Sequence, residues 1–253
     1  MNYRLIPCLL LKNGGLYKSV KFKDHRYIGD PINTVKLFND KEVDELVILD
    51  IEARKSFLGP NFALINDIVS EAFMPVAYGG GIRNMDDAVK LFKLGVEKLV
   101  FNTALFEDPE LICDVISYAG SSSVVASIDA KRTMFNNYSV FTDSANVNRK
   151  IDPVEFAEAL DKQGVGEILL NAVDCDGLMQ GYDLNLIERV SKSVSIPVIA
   201  IGGAGAMEDF RLAINKGASA VSAASFFIFH GKHRAVLITY PGYDEIRKII
   251  TKS

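Results

Sequence analysis

Acidic side chains follow several buried-looking stretches of this sequence, at the points where those stretches end. Asp129 closes VVASID, Asp50 closes LVILD, and Asp174 and Asp176 follow EILLNAV. A carboxylate beside a buried strand is costly unless it has partners or a chemical task. These residues are therefore candidates for acid–base chemistry or ligand binding, with Asp129 the first choice for proton transfer. Carboxylates that only organise loops remain the alternative.

Paired glycines end two other apolar stretches, and in both cases the next stretch ends in a hydroxyl. The two sets are Gly80, Gly81 and Thr103, and Gly202, Gly203 and Ser225. Glycine lets the backbone approach an anion, and a hydroxyl adds a hydrogen-bond donor. The two sets predict two phosphate cradles, and hence a long ligand with a phosphate near each end. Tight turns are the other explanation of the glycines.

For these residues to form one site, the strands that they follow must all end at the same face of the fold. Amphipathic stretches separate the apolar ones, Asp30-Pro31 and Asp152-Pro153 resemble helix starts, and Gly95 and Gly217 resemble helix ends. Strand–helix alternation repeated eight times predicts an α/β fold of the (β/α)8 TIM-barrel type, in which chemistry sits at the C-terminal strand ends. We also expect a short helix near Ser225–His230 and a final one at Tyr243–Thr251. The predicted strands are Arg4–Leu11, Leu46–Ile51, Pro75–Tyr78, Lys98–Asn102, Ser123–Asp129, Glu167–Val173, Pro197–Ile201 and Ala218–Ala223.

The chain also repeats itself. MPVAYGGGIRNMDDAVKLFKLG resembles IPVIAIGGAGAMEDFRLAINKG with an offset of 197 − 75 = 122 residues. This repeat predicts one barrel domain, residues 1–253, built from two similar halves of about 1–122 and 123–253. Strand 1 aligns with strand 5 at an offset of 119, which places Leu10 opposite Asp129 in the alignment. Where symmetry would supply two acids, the sequence has one acid and one leucine.

Composition narrows the function classes. The 253 residues are 49% hydrophobic and carry a net charge of −4, so no basic field recruits nucleic acid. No apolar run reaches the roughly 20 residues needed to span a bilayer. The N-terminal apolar run is too short for a secretion signal, and we expect a cytoplasmic protein. Cys8, Cys113 and Cys175 have no metal-ligand spacing, so we expect buried reduced thiols, no metal and no cofactor.

An ordered set of motifs resembles a known family. IPCLLLKNGG, DELVILDIEA, YGGGI, NTALF, SIDAKR, GVGEILLNAVDCDG and IGGAGAMEDF occur in the order found in the cyclase (HisF-type) subunit of imidazole glycerol phosphate synthase. The resemblance covers about residues 4–230. It implies a half-barrel repeat of the ribulose-phosphate-binding type and a lyase-type synthase subunit of histidine biosynthesis. It also implies a substrate with a phosphate at each end, and ammonia supplied by a HisH-like glutaminase docked at the N-terminal face.

The resemblance assigns roles by position. Asp129 matches a catalytic aspartate, and Lys18 matches a substrate-facing lysine in a mobile loop after strand 1. Asp50, Asp174 and Asp176 join the substrate-binding set. One phosphate site is implied at Gly80, Gly81, Asn102 and Thr103, and the other at Gly177, Gly202, Gly203, Ala224 and Ser225. A ring of charges that gates an ammonia channel is implied at Arg4, Glu45, Lys98 and Glu167.

Two positions depart from the family pattern. Its strand 1 aspartate falls on Leu10, which cannot transfer a proton, and Ile201 replaces a small hydroxyl residue. With CLLLK and the segment FHGKHRAVLITYP, these departures resemble a subgroup in which a cyclase-like subunit and a glutaminase supply ammonia to a sugar amidotransferase. The sequence thus favours ammonia delivery for surface-sugar amidination.

Four other functions remain open. The first is a genuine cyclase subunit in which another residue replaces the missing acid. The second is the related single-chain isomerase of the same pathway, which also needs paired aspartates. A non-enzymatic scaffold for the glutaminase is the third. A flavin-binding barrel is the fourth, although it leaves the first phosphate cradle unexplained.

Overall fold

The computed structural model describes residues 3–54, 59–134, 137–231 and 233–250, with the side chains of residues 247–250 outside the description. In chain order, the strands are β1 Arg4–Lys12, β2 Gly15–Val20, β3 Lys23–Gly29, β4 Leu46–Asp50, β5 Val76–Gly79, β6 Lys98–Phe101, β7 Val124–Arg132, β8 Tyr138–Thr142, β9 Val147–Asn148, β10 Glu167–Ala172, β11 Val198–Ile201, β12 Ala220–Ala223, β13 Phe229–His230 and β14 Ala235–Val236. The helices are α1 Pro31–Asn39, α2 Phe62–Glu71, α3 Met85–Lys93, α4 Ala104–Glu107, α5 Pro109–Ala119, α6 Pro153–Gln163, α7 Leu184–Ser191, α8 Met207–Asn215, α9 Ser225–Ile228 and α10 Tyr243–Ile250.

Eight parallel strands close into a barrel. Their order is β1, β4, β5, β6, β7, β10, β11 and β12, and β12 pairs with β1 to complete the ring. Helices connect successive barrel strands on the outside. The predicted (β/α)8 barrel is confirmed, and every predicted strand corresponds to a barrel strand with ends that differ by at most a few residues.

Two barrel strands carry antiparallel extensions that the sequence did not reveal. β2 pairs with β1 and with β3, while β8 pairs with β7 from Asp129↔Phe141 to Arg132↔Tyr138. This pairing explains why β7 continues to Arg132 and not only to Asp129. The strands of these extensions contain polar residues and no long apolar run. A long apolar run is the signal that identified the barrel strands. Strands β1 and β7 are equivalent in the predicted repeat, but the division into half-barrels at residue 122 stays a prediction.

The predicted helix starts are present. Asp30 accepts a hydrogen bond from the Asn33 backbone N–H, and Asp152 accepts one from Val154, each ahead of a proline in the first turn. Gly95 and Gly217 have φ values of +97° and +101°, the left-handed conformation that ends a helix. The short helix predicted after strand 8 is α9. The last predicted helix is α10, and Thr251 lies outside the described residues.

The apolar core has two layers. One fills the barrel interior and includes Ile6, Val100 and Leu169, while the other lies between the strands and the outer helices. Among the described residues, no helix has the length and apolar character to cross a membrane.

The prediction of three buried cysteines was wrong in part. All three thiols are free, but only Cys8 is buried, while Cys175 is partly covered and Cys113 is exposed. Cys113 lies on α5 between Ile112 and Val115, which are buried, so helical periodicity turns its side chain outward.

Candidate functional site

A cavity of about 870 Å³ lies at the C-terminal ends of the barrel strands. This volume suits a small-molecule ligand. The predicted site residues that line it are Lys18, Asp50, Gly80, Gly81, Asn102, Thr103, Asp129, Asp176, Gly177, Gly202, Gly203, Ala224 and Ser225. The structure therefore brings together both predicted phosphate cradles and the first-choice catalytic acid in one place.

Asp129 lies near the centre of this set, with 7% of its surface exposed. Its Oδ1 accepts a hydrogen bond from Asn171 Nδ2, and its Oδ2 accepts one from Asn102 Nδ2, both at 3.2 Å. The two amides come from the neighbouring strand β10 and from the end of β6. The carboxyl group is thereby held from both sides.

Burial sets the acidity of Asp129. It raises the pKa of the carboxyl group to about 7, and the nearby Asp176 acts in the same direction, while the hydrogen bonds from Asn171 and Asn102 and the charge of Lys131 oppose the change. A carboxyl group with a pKa near neutrality can both accept and donate a proton at cellular pH. This is the property required of a general acid or base.

The cavity wall around Asp129 includes apolar side chains. Leu10, Leu49 and Ile201 line the cavity, and Leu10 pairs in register with Leu49. Ile201 pairs in register with Asn171, which in turn pairs with Asp129. Leu10 thus occupies the cavity position where the predicted repeat leads one to expect a second acid.

The first cradle follows β5 and β6. Gly80 and Gly81 have φ values of +122° and +72°, and a Cβ on Gly80 would lie only 2.2 Å from the Asp50 carbonyl oxygen. Both glycines are therefore also required by local packing, so the tight-turn explanation holds alongside the ligand one. Thr103 Oγ1 donates to Asn102 Oδ1 at 3.3 Å.

The second cradle follows β11 and β12. Gly202 and Gly203 have φ values of +93° and +120°, and a Cβ on Gly203 would lie 2.1 Å from the Gly181 carbonyl oxygen. Ser225 is 5% exposed, and its Oγ has no hydrogen-bond partner within the described parts of the chain. A buried hydroxyl without a partner at the predicted position is consistent with a ligand oxygen as its partner.

Lys18 and Asp176 lie differently from the prediction. Lys18 is part of strand β2 and not of a loop, and its Nζ lies 2.8 Å from Asp176 Oδ1. A Cβ on Gly177 would lie 2.6 Å from the Ser19 carbonyl oxygen, so this glycine lets the loop after β10 pack against β2. Lys18 and Asp176 both line the cavity, as predicted for ligand-binding residues, but each is already the ion-pair partner of the other.

Asp50 and Asp174 form local contacts. Asp50 Oδ1 accepts hydrogen bonds from the backbone N–H groups of Glu52 and Ala53, and burial raises the pKa of its carboxyl group. Asp174 accepts a hydrogen bond from the Arg132 backbone N–H at 2.8 Å and is not among the residues that line the cavity. The carboxylate of Asp174 thus joins the loop after β10 to the end of β7, which agrees with the loop-organising alternative, and its predicted role in ligand binding stays a prediction.

Several polar residues that line the cavity were not predicted from the sequence, among them Arg54, Arg83 and Asn171. Arg54 and Arg83 follow β4 and β5, and Arg54 makes two 2.9 Å hydrogen bonds to the Glu107 carboxylate. Asn171 contacts Asp129 from within β10. The position of the arginines just after strand ends was an available signal. Asn171 gave none, because it is a single polar residue within an apolar strand.

The four predicted gate residues form a closed ring at the opposite end of the barrel. Arg4 contacts Glu45 at 2.5 Å and Glu167 at 2.7 Å, while Lys98 contacts the same two carboxylates at 3.0 and 3.1 Å. Each residue starts a barrel strand or directly precedes one. The predicted grouping is present, with each cation shared between both anions.

Within the described residues, no group of three or more histidine, cysteine, aspartate and glutamate side chains has the arrangement of a metal site. The fold and cavity define the class of protein: a (β/α)8 barrel with a ligand-sized cavity at the C-terminal strand ends and a charged ring at the other end.

Comparison with known proteins identifies the family. Residues 4–234 match the family model described as "Histidine biosynthesis protein". A Pseudomonas aeruginosa protein with the provisional name imidazole glycerol phosphate synthase subunit hisF2 is 49% identical over 244 residues, which cover 96% of this chain and 97% of that protein. The imidazole glycerol phosphate synthase subunit HisF of Streptomyces griseus is 42% identical over 226 residues, which cover 89% and 90% of the two chains. The chain belongs to the histidine biosynthesis protein family, as a HisF-like synthase-type subunit.

The predicted resemblance to the HisF-type family is confirmed. The assignment to a subgroup that serves surface-sugar amidination stays a prediction, as do the roles of the individual site residues.

Proposed function

We propose that this chain is the synthase-type subunit of a glutaminase-coupled complex. It receives ammonia at the N-terminal face of the barrel and delivers it to the C-terminal cavity, where a phosphorylated ligand binds. The ammonia then serves the amidination of a surface sugar by a third protein, a sugar amidotransferase. Ring closure to imidazole glycerol phosphate is not its main reaction.

Leu10 is the observation that carries this proposal. It lines the cavity with Asp129, but a leucine has no proton to exchange, so strand β1 brings no acid to the cavity at the position where the family pattern supplies one. General acid–base catalysis contributes about 10²–10⁴-fold to a rate. The charged ring at the other end keeps all its ion pairs. A complete charged ring together with a leucine at the strand 1 position favours ammonia delivery over ring closure.

The barrel interior supports passage of neutral ammonia. Above the charged ring, the interior is lined by apolar side chains such as Ile6, Val47 and Ile199, each at most 2% exposed. Burying an ammonium ion among them would be costly, whereas neutral ammonia avoids that cost. The charged ring would orient ammonia at the entrance, and Asp129 would meet it at the exit.

Exposed aromatic side chains at the N-terminal rim support a docked glutaminase. Phe73 precedes β5 and has 88% of its surface exposed, and Tyr118 at the end of α5 has 55% exposed. Tyr118 stacks on Phe92 at 6.2 Å between ring centroids. Exposed aromatic side chains are typical anchors of protein interfaces.

A genuine cyclase subunit is the second candidate. The cavity retains Asp129 with a pKa of about 7 and both cradles, and the Streptomyces griseus relative bears the name of that enzyme without qualification. Under this hypothesis, another group near Asp129 supplies the second proton-transfer function.

One assay separates the two candidates. The purified chain would be supplied with an ammonium salt and the bis-phosphoribosyl substrate of imidazole glycerol phosphate synthase, and formation of imidazole glycerol phosphate would be measured. We expect turnover by the natural chain to be at least about 100-fold slower than by Leu10→Asp, which restores the missing acid. Rapid turnover by the natural chain would contradict the proposal and support the genuine cyclase.

A second readout addresses the scaffold alternative. Under the proposal, Asp129→Asn lowers amidination of the final sugar in a reconstituted system with glutaminase and amidotransferase. If the chain only holds the glutaminase, this variant leaves amidination unchanged. Leu49→Met, a neighbouring apolar change in the cavity wall, controls for disturbance of packing.

A further inference from the structure

Asn171 is a buried amide in the middle of the cavity that the family resemblance did not single out. It lies at the end of β10, with 8% of its surface exposed, and pairs in register with Asp129 on β7. Its Nδ2 donates a hydrogen bond to Asp129 Oδ1 at 3.2 Å. One end of the amide is thus fixed to the candidate catalytic acid.

The other end of the amide has no partner. Asn171 Oδ1 is buried and accepts no hydrogen bond from the described residues. Asn102, on the other side of Asp129, provides the contrast: its Nδ2 donates to Ser127 O and Asp129 Oδ2, and its Oδ1 accepts from Thr103 Oγ1. A buried acceptor without a donor is destabilising, so the orphan oxygen of Asn171 calls for a donor from a bound molecule.

The surroundings of Asn171 supply acceptors and apolar groups. Its register neighbour on β11 is Ile201, which has no donor to offer. A Cβ on Gly202 would lie 2.8 Å from Asn171 Oδ1, so the glycine of the second cradle packs against this oxygen where a larger residue would clash with it. Lys18, a cation of the same cavity, is paired with Asp176. A donor from a bound ligand would complete the hydrogen bonding of this oxygen.

We propose that Asn171 is a ligand-binding residue, and that its Oδ1 and the Asp129 carboxylate together accept hydrogen bonds from one nitrogen of the ligand that carries at least two hydrogens. An amine or amidine nitrogen donates to both oxygens at once, whereas a single hydroxyl donates to one only. The negative charge available at Asp129 further favours a nitrogen that is protonated. Asn171 then selects nitrogen-bearing phosphorylated ligands over plain sugar phosphates. This inference rests on the proposed role of the cavity as a phosphate-ligand site.

Two probes that share a phosphorylated ribose test the selectivity. Aminoimidazole carboxamide ribotide carries amine and amide nitrogens, and ribose 5-phosphate carries none. Binding of each to the full chain would be measured by titration calorimetry for the natural protein, for Asn171→Leu, and for Asn171→Thr. Leucine keeps the approximate volume and removes the acceptor, while threonine keeps one oxygen and suits a strand. Circular dichroism would establish that each variant is folded, and Asn171→Thr carries the test if Asn171→Leu is not.

We expect Asn171→Leu to bind the ribotide about tenfold more weakly, the effect of one lost hydrogen bond, and ribose 5-phosphate within about twofold of the natural chain. Asn171→Thr should lose less affinity for the ribotide, with the same selectivity between probes. Equal weakening of both probes, or unchanged ribotide binding, would overturn the role of Asn171 while leaving the proposed function in place. Failure of the natural chain to bind either probe would instead overturn the cavity as a phosphate-ligand site, and this inference with it.

Discussion

Lys18 Nζ lies 2.8 Å from Asp176 Oδ1, although the two residues are 158 positions apart in the chain. The contact joins the strand after β1 to the loop after β10, so it connects opposite halves of the sequence at the mouth of the cavity. Only 4% and 12% of the two side chains are exposed. Each of the two charges is therefore stabilised by the other. A ligand that binds one of these side chains must also leave a favourable environment for the other.

Removal of one member of this pair should be strongly destabilising. We expect Lys18→Met to lower the free energy of unfolding by about 3–5 kcal/mol, because it leaves the Asp176 carboxylate buried without a counter-charge. The double variant Lys18→Met/Asp176→Leu should recover most of that loss. Urea unfolding of the four proteins of this double-mutant cycle measures the coupling. Additive effects of the two single changes would show that the contact contributes nothing.

The pKa of Asp129 predicts a pH dependence of stability. Burial raises this pKa from 3.8 to about 7, so between those pH values the folded chain retains a proton that the unfolded chain has lost. Stability should therefore fall as the pH rises from about 4 to about 7, by at most about 4 kcal/mol from this group. Asp129→Asn removes the titrating group and should flatten the curve over that range. Urea midpoints measured at half-unit intervals of pH check this, and parallel curves for the two proteins would contradict it.

The charged ring should stabilise the barrel as well as mark an entrance. We expect Glu167→Gln to cost about 2–3 kcal/mol, because Arg4 and Lys98 must then share Glu45; the cost stays below that of a fully buried pair since 29% of the Arg4 side chain is exposed. Glu71→Gln is the matched control, since its ion pair with Lys36 is exposed and should contribute less than about 0.5 kcal/mol. Chemical denaturation compares them, and equal costs would argue against a special role of the ring.

The N-terminal rim should bind the glutaminase through Phe73. We expect Phe73→Asp to weaken capture by a tagged HisH-like glutaminase about tenfold or more, as loss of an interface anchor does. The fold should be unaffected, because 88% of Phe73 is exposed and its backbone N–H remains bound to Asn39 Oδ1. Met134, 81% exposed after β7 at the opposite face, gives the control variant Met134→Asp. If the glutaminase captures Phe73→Asp, Met134→Asp and the natural chain equally well, Phe73 is not part of the surface that binds it.

The sequence by itself determined the barrel and predicted many of the residues that line the cavity. Continuous apolar strands, paired glycines and the internal repeat are local patterns, so they identified the eight strands, both cradles, Asp129 and the anomaly at Leu10 without reference to any distance. The members of the charged ring were implied by the resemblance to the HisF-type family, and residues at equivalent strand starts meet at one end of a closed barrel.

The tertiary structure alone decided which of these groups have partners. Lys18 pairs with Asp176, Asp174 binds the Arg132 backbone, and Asn171 keeps an orphan oxygen beside Asp129. These facts depend on contacts between elements far apart in the chain and on how deeply each group is buried. A sequence pattern specifies which face a residue occupies, but the partner that it finds there, and hence its charge and pKa, is fixed only when the strands close into the barrel.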